Sequence, residues 1–140
     1  MVKIRVSGTK EAVNVLFDSL GDLSEHGVLN RTNNKDYPNT DGTIRKYIDL
    51  DLSNFEGDLT PITSAFVVSL RITSATKDDI KDMLRVLSQL VAVAYISKGE
   101  ELRIRRNKYG YSAMVSCISK AQVAKHRLLG LKNDDFKIYK

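Results

Sequence analysis

Val68-Ser-Leu-Arg-Ile-Thr-Ser-Ala-Thr-Lys77 decides the fold, because it repeats the opening of the chain, Lys3-Ile-Arg-Val-Ser-Gly-Thr-Lys10, with one extra residue in the turn. In each copy an apolar, basic, apolar triplet (Ile4, Arg5, Val6; Leu70, Arg71, Ile72) has the alternation of a half-buried strand. Turn residues follow, and a threonine (Thr9, Thr76) stands where a helix N-cap belongs. Beyond the first copy, Val13, Leu16, Phe17, Leu20 and Leu23 fall on one helical face and predict a helix over about residues 10–22. Beyond the second, Ile80, Met83, Leu84, Leu87 and Leu90 occupy the same relative positions. The matched spacing fits a duplicated unit. Two amphipathic helices of independent origin would reproduce part of it.

Each helix leads into strands. Gly27 follows the first, Val28-Leu29 opens a short strand, and the Asn-, Asp-, Pro- and Gly-rich stretch 31–42 reads as a hairpin loop turning at Asp41-Gly42. Ile44, Ile48, Leu50 and Leu52 then share a strand face. After a connector over 53–64, the second copy predicts strands at Ala94–Ser97, Leu102–Arg105 and Tyr111–Ile118. A last helix is expected from Ser119, with Gln122 closing a capping box, to about Gly130, and the tail 136–140 alternates like an edge strand. The expected fold is α+β: tandem βαββ units, 1–60 and 61–140, sharing one compact domain. Their antiparallel-rich sheet carries its helices on one face and has pseudo-two-fold symmetry.

With 140 residues, 42% of them hydrophobic and 28% charged, the chain can bury a core without staples. Its single cysteine, Cys117, excludes an internal disulfide framework and sits in an apolar run, as a buried thiol does. No apolar run approaches the roughly 18 residues of a membrane-spanning helix, and the opening residues alternate where a signal peptide has an apolar block. A cytoplasmic protein without membrane partners is expected. The net charge of +5 is divided unevenly. Residues 1–66 carry seven bases and ten acids, a balance of −3, and residues 67–140 carry fifteen and seven, a balance of +8. That asymmetry suggests different partners for the two halves, or a homodimer that sets them against each other.

Lys3-Ile-Arg-Val-Ser-Gly-Thr-Lys-Glu11, Tyr37-Pro-Asn39 and Arg45-x-Tyr47-x-x-Leu50 together resemble a small family of short βαββ proteins from Gram-positive bacteria, their phages and plasmids. The resemblance covers about the first 50 residues and implies a mobile-element origin. It assigns no activity and no functional residue. The second half departs from it, with Asn107-Lys-Tyr-Gly-Tyr111 where the family has Tyr-Pro-Asn.

Arg103-Ile-Arg-Arg-Asn-Lys-Tyr-Gly-Tyr111 is the most distinctive chemistry in the chain. Arg103, Arg105, Arg106 and Lys108 supply cations, and Tyr109 and Tyr111 supply rings, around an expected hairpin. Guanidinium groups bind phosphate and tyrosine rings stack on bases, so a basic aromatic ribbon suits nucleic acid. Lys120, Lys125 and Arg127 on the last helix extend the expected footprint. The competing readings are an acidic protein surface and a solvated edge strand kept from aggregating by its charges. Asp49 and Asp51 share a strand face and Glu56 and Asp58 follow, but the spacing does not fit a calcium loop, and a polar outer face explains them. The loop 31–42 is either a recognition loop or an ordinary connection. His26 and His126 have no ligand-spaced companions, and there is no Gly-rich phosphate loop, nucleophile elbow or Cys-x-x-Cys. No enzyme, metal or cofactor is expected. The sequence points to a non-enzymatic accessory protein of a mobile element that binds nucleic acid or a nucleoprotein complex through its basic second half. The alternative is an inhibitor of a host defence nuclease, of anti-CRISPR or anti-restriction type, acting by protein contact.

Overall fold

The two strands expected from the repeated triplets, β1 (Val2–Gly8) and β5 (Val67–Ser74), pair antiparallel, and Arg5 lies directly opposite Arg71. These two arginines are also equivalent residues of the two units, so a pseudo-two-fold axis runs through their pair. The structure, a computed structural model, describes residues 1–32, 35–96, 102–123 and 136–139. Helix α1 (Lys10–Gly21) and a 3-10 turn (Asp22–His26) follow β1, and then come β2 (Leu29–Thr32), β3 (Tyr37–Pro38) and β4 (Ile44–Asp51). After β5 come α2 (Lys77–Leu90), β6 (Ala92–Ile96), β7 (Arg105–Asn107), β8 (Gly110–Ile118) and β9 (Phe136–Ile138).

The strands form one sheet in the order β2-β4-β1-β5-β8-β6-β9, with β3 on β4 and β7 on β8. Read outward from the axis, β1, β4, β2 and β3 on one side match β5, β8, β6 and β7 on the other, as duplication predicts. The added strand β9 extends the sheet beyond β6, where the alternating tail was expected. The helices start where the threonines allow. Thr9 accepts the Ala12 amide at 3.3 Å and Thr76 the Asp79 amide at 3.2 Å, each satisfying a donor that the first helical turn leaves free.

Alternation then assigns the two sheet faces. Val2, Ile4, Val6, Ile48, Leu50, Val68, Leu70, Ile72, Val115 and Cys117 are buried, and they join the apolar stripes of both helices in one core cluster. Each such side chain contributes about 1.5–3 kcal/mol when fully buried. Both helices therefore cover the same face. Among the described residues no helix is long and apolar enough to cross a membrane.

Cys117 is fully buried, and desolvation pushes its thiol up to about 12. Only the thiolate is nucleophilic, so a thiol reagent at neutral pH is expected to label the protein only as fast as the structure opens. Following labelling with and without denaturant tests this; immediate native-state reaction would contradict the burial. Above pH 9 the unfolded chain ionises this thiol and the folded chain does not, so stability falls as pH rises from about 9 towards 12.

The units differ beneath their helices. In the first, Lys46 lies on the core face of β4 with its side chain only 12% exposed, ion-paired to Asp36 at 3.2 Å and 4.8 Å from the Phe17 ring centroid. The corresponding positions of the second unit are Ala113, Ile104 and Leu84. They are apolar and form no ion pair, and Leu84 and Ile104 line a cavity of about 430 Å³ together with Leu102 and Tyr139.

Two expectations are corrected. Leu102–Ile104 is not strand: Leu102 and Ile104 pack against the core, and the ladder starts only where Arg105 meets Ser112. Ser119 does cap the last helix, which begins at Lys120, through a 3.4 Å bond from the Gln122 amide. The Gln122 side-chain oxygen Oε1, however, accepts from the Ser119 hydroxyl and the Phe66 amide, so it ties the helix to the residue before β5 and leaves the capping box open. Lys125, His126 and Arg127, expected on that helix, lie outside the described residues, as does Ser97.

Candidate functional site

The sheet face opposite the helices is the surface on which chemistry collects. Strand pairing lays its side chains in rows. One row runs Arg31, Asp49, Lys3, Thr73, Ser112, Arg105; the next runs Tyr47, Arg5, Arg71, Met114; a third runs Tyr37, Arg45, Ser7, Ser69, Ser116. Six cations (Lys3, Arg5, Arg31, Arg45, Arg71, Arg105) face two carboxylates, Asp49 and Asp51, among the described strand residues. Among the described residues, the face closes at its β6 end, where Ala92, Ala94 and Ile118 are buried.

Its centre is the Arg5–Arg71 pair. Like charges directly opposite each other destabilise a sheet. The usual remedy, a neighbouring carboxylate, is missing around Arg71, whose neighbours on this face are Arg5, Met114, Ser69 and Thr73. Arg5 has Tyr47 on its other side and Lys3 and Ser7 along its strand. Among the described residues, no ion pair or side-chain hydrogen bond engages Lys3, Arg5, Arg71 or Arg105. An anion laid across this centre would meet two guanidinium groups flanked by serine and threonine hydroxyls.

One corner of the face is aromatic. Arg45 donates from Nε to the Tyr47 hydroxyl at 3.1 Å and from Nη1 to Asn39 Oδ1 at 2.7 Å, and its guanidinium carbon lies 5.9 Å from the Tyr37 ring centroid. The Tyr37 and Tyr47 rings meet edge to face, with centroids 5.5 Å apart and planes at 84°. Tyr37, Asn39, Arg45 and Tyr47, separated in sequence, are thus one cluster. The turn beneath it is fixed by Asp41, whose carboxylate accepts from the Thr43 hydroxyl and amide and is held below its ordinary pKa by those bonds. The pseudo-two-fold axis carries Tyr37, Arg45 and Tyr47 onto Arg105, Ser112 and Met114. The opposite corner is therefore cationic, with Met114 61% exposed beside it.

The residues singled out from sequence are divided by this geometry. Arg105 joins the open face, whereas Arg106, opposite Tyr111, points to the helix side. Tyr111 is half-buried there, with the Lys77 ammonium 5.4 Å from its ring. Lys108 and Tyr109 form the turn, with Tyr109 80% exposed and Lys108 5.8 Å from its ring. Arg103 is exposed in the segment leading into β7. Lys120 sits beyond the far end of β8 and donates to the Gln89 carbonyl at 3.4 Å, so it does not extend the hairpin's footprint. Nor is the hairpin a free ribbon, because β8 stays paired to β5 as far as Tyr111 opposite Ser74.

Lys3, Arg5, Arg31, Arg45 and Arg71 escaped the sequence reading, although Arg5 and Arg71 stand inside the triplets that reveal the repeat. The charge of whole halves hid them. The acids that make the first half negative lie largely elsewhere: Glu11 and Asp18 on α1, Asp22 and Glu25 in the turn after it, and Asp36 beneath Lys46. Asp49 and Asp51 do share a face, and the Ser53 amide donates to Asp51 at 3.1 Å. No group of three or more metal-ligating side chains comes together among the described residues. His26 meets the Glu56 carbonyl at 3.2 Å and the Phe55 ring.

Comparison with protein-family models, with curated proteins and with solved structures finds no match.

Proposed function

We propose that this protein binds nucleic acid through the open face of its sheet, as a non-enzymatic binding protein. The opposed Arg5–Arg71 pair is the observation that carries the reading. Two arginines set directly opposite each other, with no carboxylate beside Arg71, lower the stability of the fold, and a bound phosphate turns that repulsion into attraction. Lys3, Arg31, Arg45 and Arg105 surround the pair on the same face, so a polyanion meets cations in several rows. The binding surface belongs to both halves of the chain, and the first half, negative by sequence, supplies four of its six cations: Lys3, Arg5, Arg31 and Arg45. A mobile-element role accords with the resemblance of the first half.

Fluorescence anisotropy with labelled oligonucleotides, single-stranded and duplex, DNA and RNA, tests the reading. Binding is expected at low salt, with log K falling against log salt at a slope of about −3 for single strands if four phosphates are contacted. Absence of binding to every one of these oligonucleotides at about 20 mM salt would overturn it.

A further inference from the structure

We infer that the ligand of this face is a single strand, lying diagonally from the Tyr37–Tyr47 corner to the Arg105 corner across the Arg5–Arg71 pair. The inference rests on the nucleic-acid reading above and adds to it the strandedness, the path and the length of the ligand.

Shape excludes reading of a duplex. The open row from Arg31 to Arg105 crosses six strands and makes a surface about 24 Å wide, whereas the major groove, about 12 Å across, admits a helix or a two-stranded ribbon. The β7–β8 hairpin is no such ribbon, since β5 flanks it almost to the turn. A duplex resting on the face would offer only phosphates and would leave the rings and Met114 unused. An unpaired strand uses both kinds of group. Its phosphates meet Arg5, Arg71 and Arg105, and its bases meet aromatic and apolar side chains, the combination by which sheet surfaces hold single strands.

The aromatic corner is built in advance. Arg45 is fixed by Asn39 and Tyr47 at 2.7 and 3.1 Å, and the edge-to-face contact orients both rings, so little side-chain entropy remains to be lost on binding. At the diagonal corner the pseudo-two-fold axis places Arg105, Ser112 and Met114 instead, so the face has a polarity that strict duplication would not give it. From Tyr37 to Arg105 the path crosses five inter-strand steps and four residues along the strands, about 27 Å. That length holds on the order of four to six nucleotides, within the range of other single-strand platforms.

The test uses oligothymidylates of two to twelve residues, a duplex control, and the full chain with Tyr47→Ala and Tyr47→Phe. The chain has six tyrosines and no tryptophan, so stacking is readable as quenching of intrinsic tyrosine fluorescence. Affinity should rise with length and level off near five nucleotides, and the duplex should bind at least about 10-fold more weakly. Tyr47→Ala should cost about 5- to 50-fold for the single strand and nothing for the duplex, and Tyr47→Phe should retain affinity because it keeps the ring. Thermal melting of both variants confirms that they fold. Equal binding of duplex and single strand, or indifference of a folded Tyr47→Ala variant, overturns this inference and leaves the nucleic-acid reading standing. Failure of all oligonucleotides removes both.

Discussion

Replacing Arg5 and Arg71 together by glutamate is expected to abolish oligonucleotide binding while leaving the thermal midpoint unchanged. Both expectations follow from the register that sets the two side chains opposite each other at the internal axis. Reversing both charges puts two carboxylates where a phosphate would sit and changes the local charge by four units, so attraction becomes repulsion. Stability should not move, because one like-charged pair replaces another. The single variant Arg71→Glu separates the effects, since it sets opposite charges across the strands and should raise stability by about 0.5–1 kcal/mol while still weakening binding. Neutralising both by Arg5→Gln and Arg71→Gln should lower affinity by about 10- to 100-fold and flatten the salt slope by about 1.4, two contacts at 0.7 each. Anisotropy against salt, with thermal melting alongside, reads all of these outcomes. Undiminished affinity in the doubly reversed protein would move the binding surface away from this face.

The second large effect concerns two glycines with nearly the same backbone. Gly27 has φ 83° and Gly42 has φ 85°, so alanine at either position bears the same left-handed strain, roughly 1–2 kcal/mol. Their surroundings differ. A Cβ on Gly42 would meet nothing within 4 Å, whereas one on Gly27 would lie 2.4 Å from the Asn54 carbonyl oxygen, a backbone atom. That oxygen belongs to the connector between the units, which docks here through the Glu56 amide donating to the His26 carbonyl at 3.0 Å. Gly42→Ala should therefore cost about 1 kcal/mol and Gly27→Ala about 3 kcal/mol or more, because the connector must be displaced as well. Chemical denaturation measures the difference. Equal losses would mean that the close approach carries no energy.

The strand-helix repeat, the threonine caps, the buried cysteine and the tail strand were all legible in the residues. They depend on periodicity and on local hydrogen bonds, which act over a few positions of the chain. The turn at Asp41-Gly42 was legible for the same reason. The hairpin at Lys108-Tyr109 was visible too, but not the sides to which its cations point, since a one-residue shift in where a strand begins exchanges the faces of all that follows. With β7 starting at Arg105, only Arg105 among the hairpin cations is placed on the open face by the strand ladder.

By itself the sequence determined most of the strands and helices and the recurrence of the strand-helix pattern, because alternation and helical spacing are written into neighbouring residues. It missed the short strand β3 inside the stretch read as a loop and placed strand at Leu102–Ile104, where there is none. Tertiary structure decided where the charge goes. Pairing β1 with β5 brings Arg5 to Arg71 across most of the first unit, and the alternation of the sheet sorts acids and bases by face regardless of which half they come from. A sum of charges along the chain cannot express that sorting, because cross-strand register depends on contacts between residues far apart in sequence.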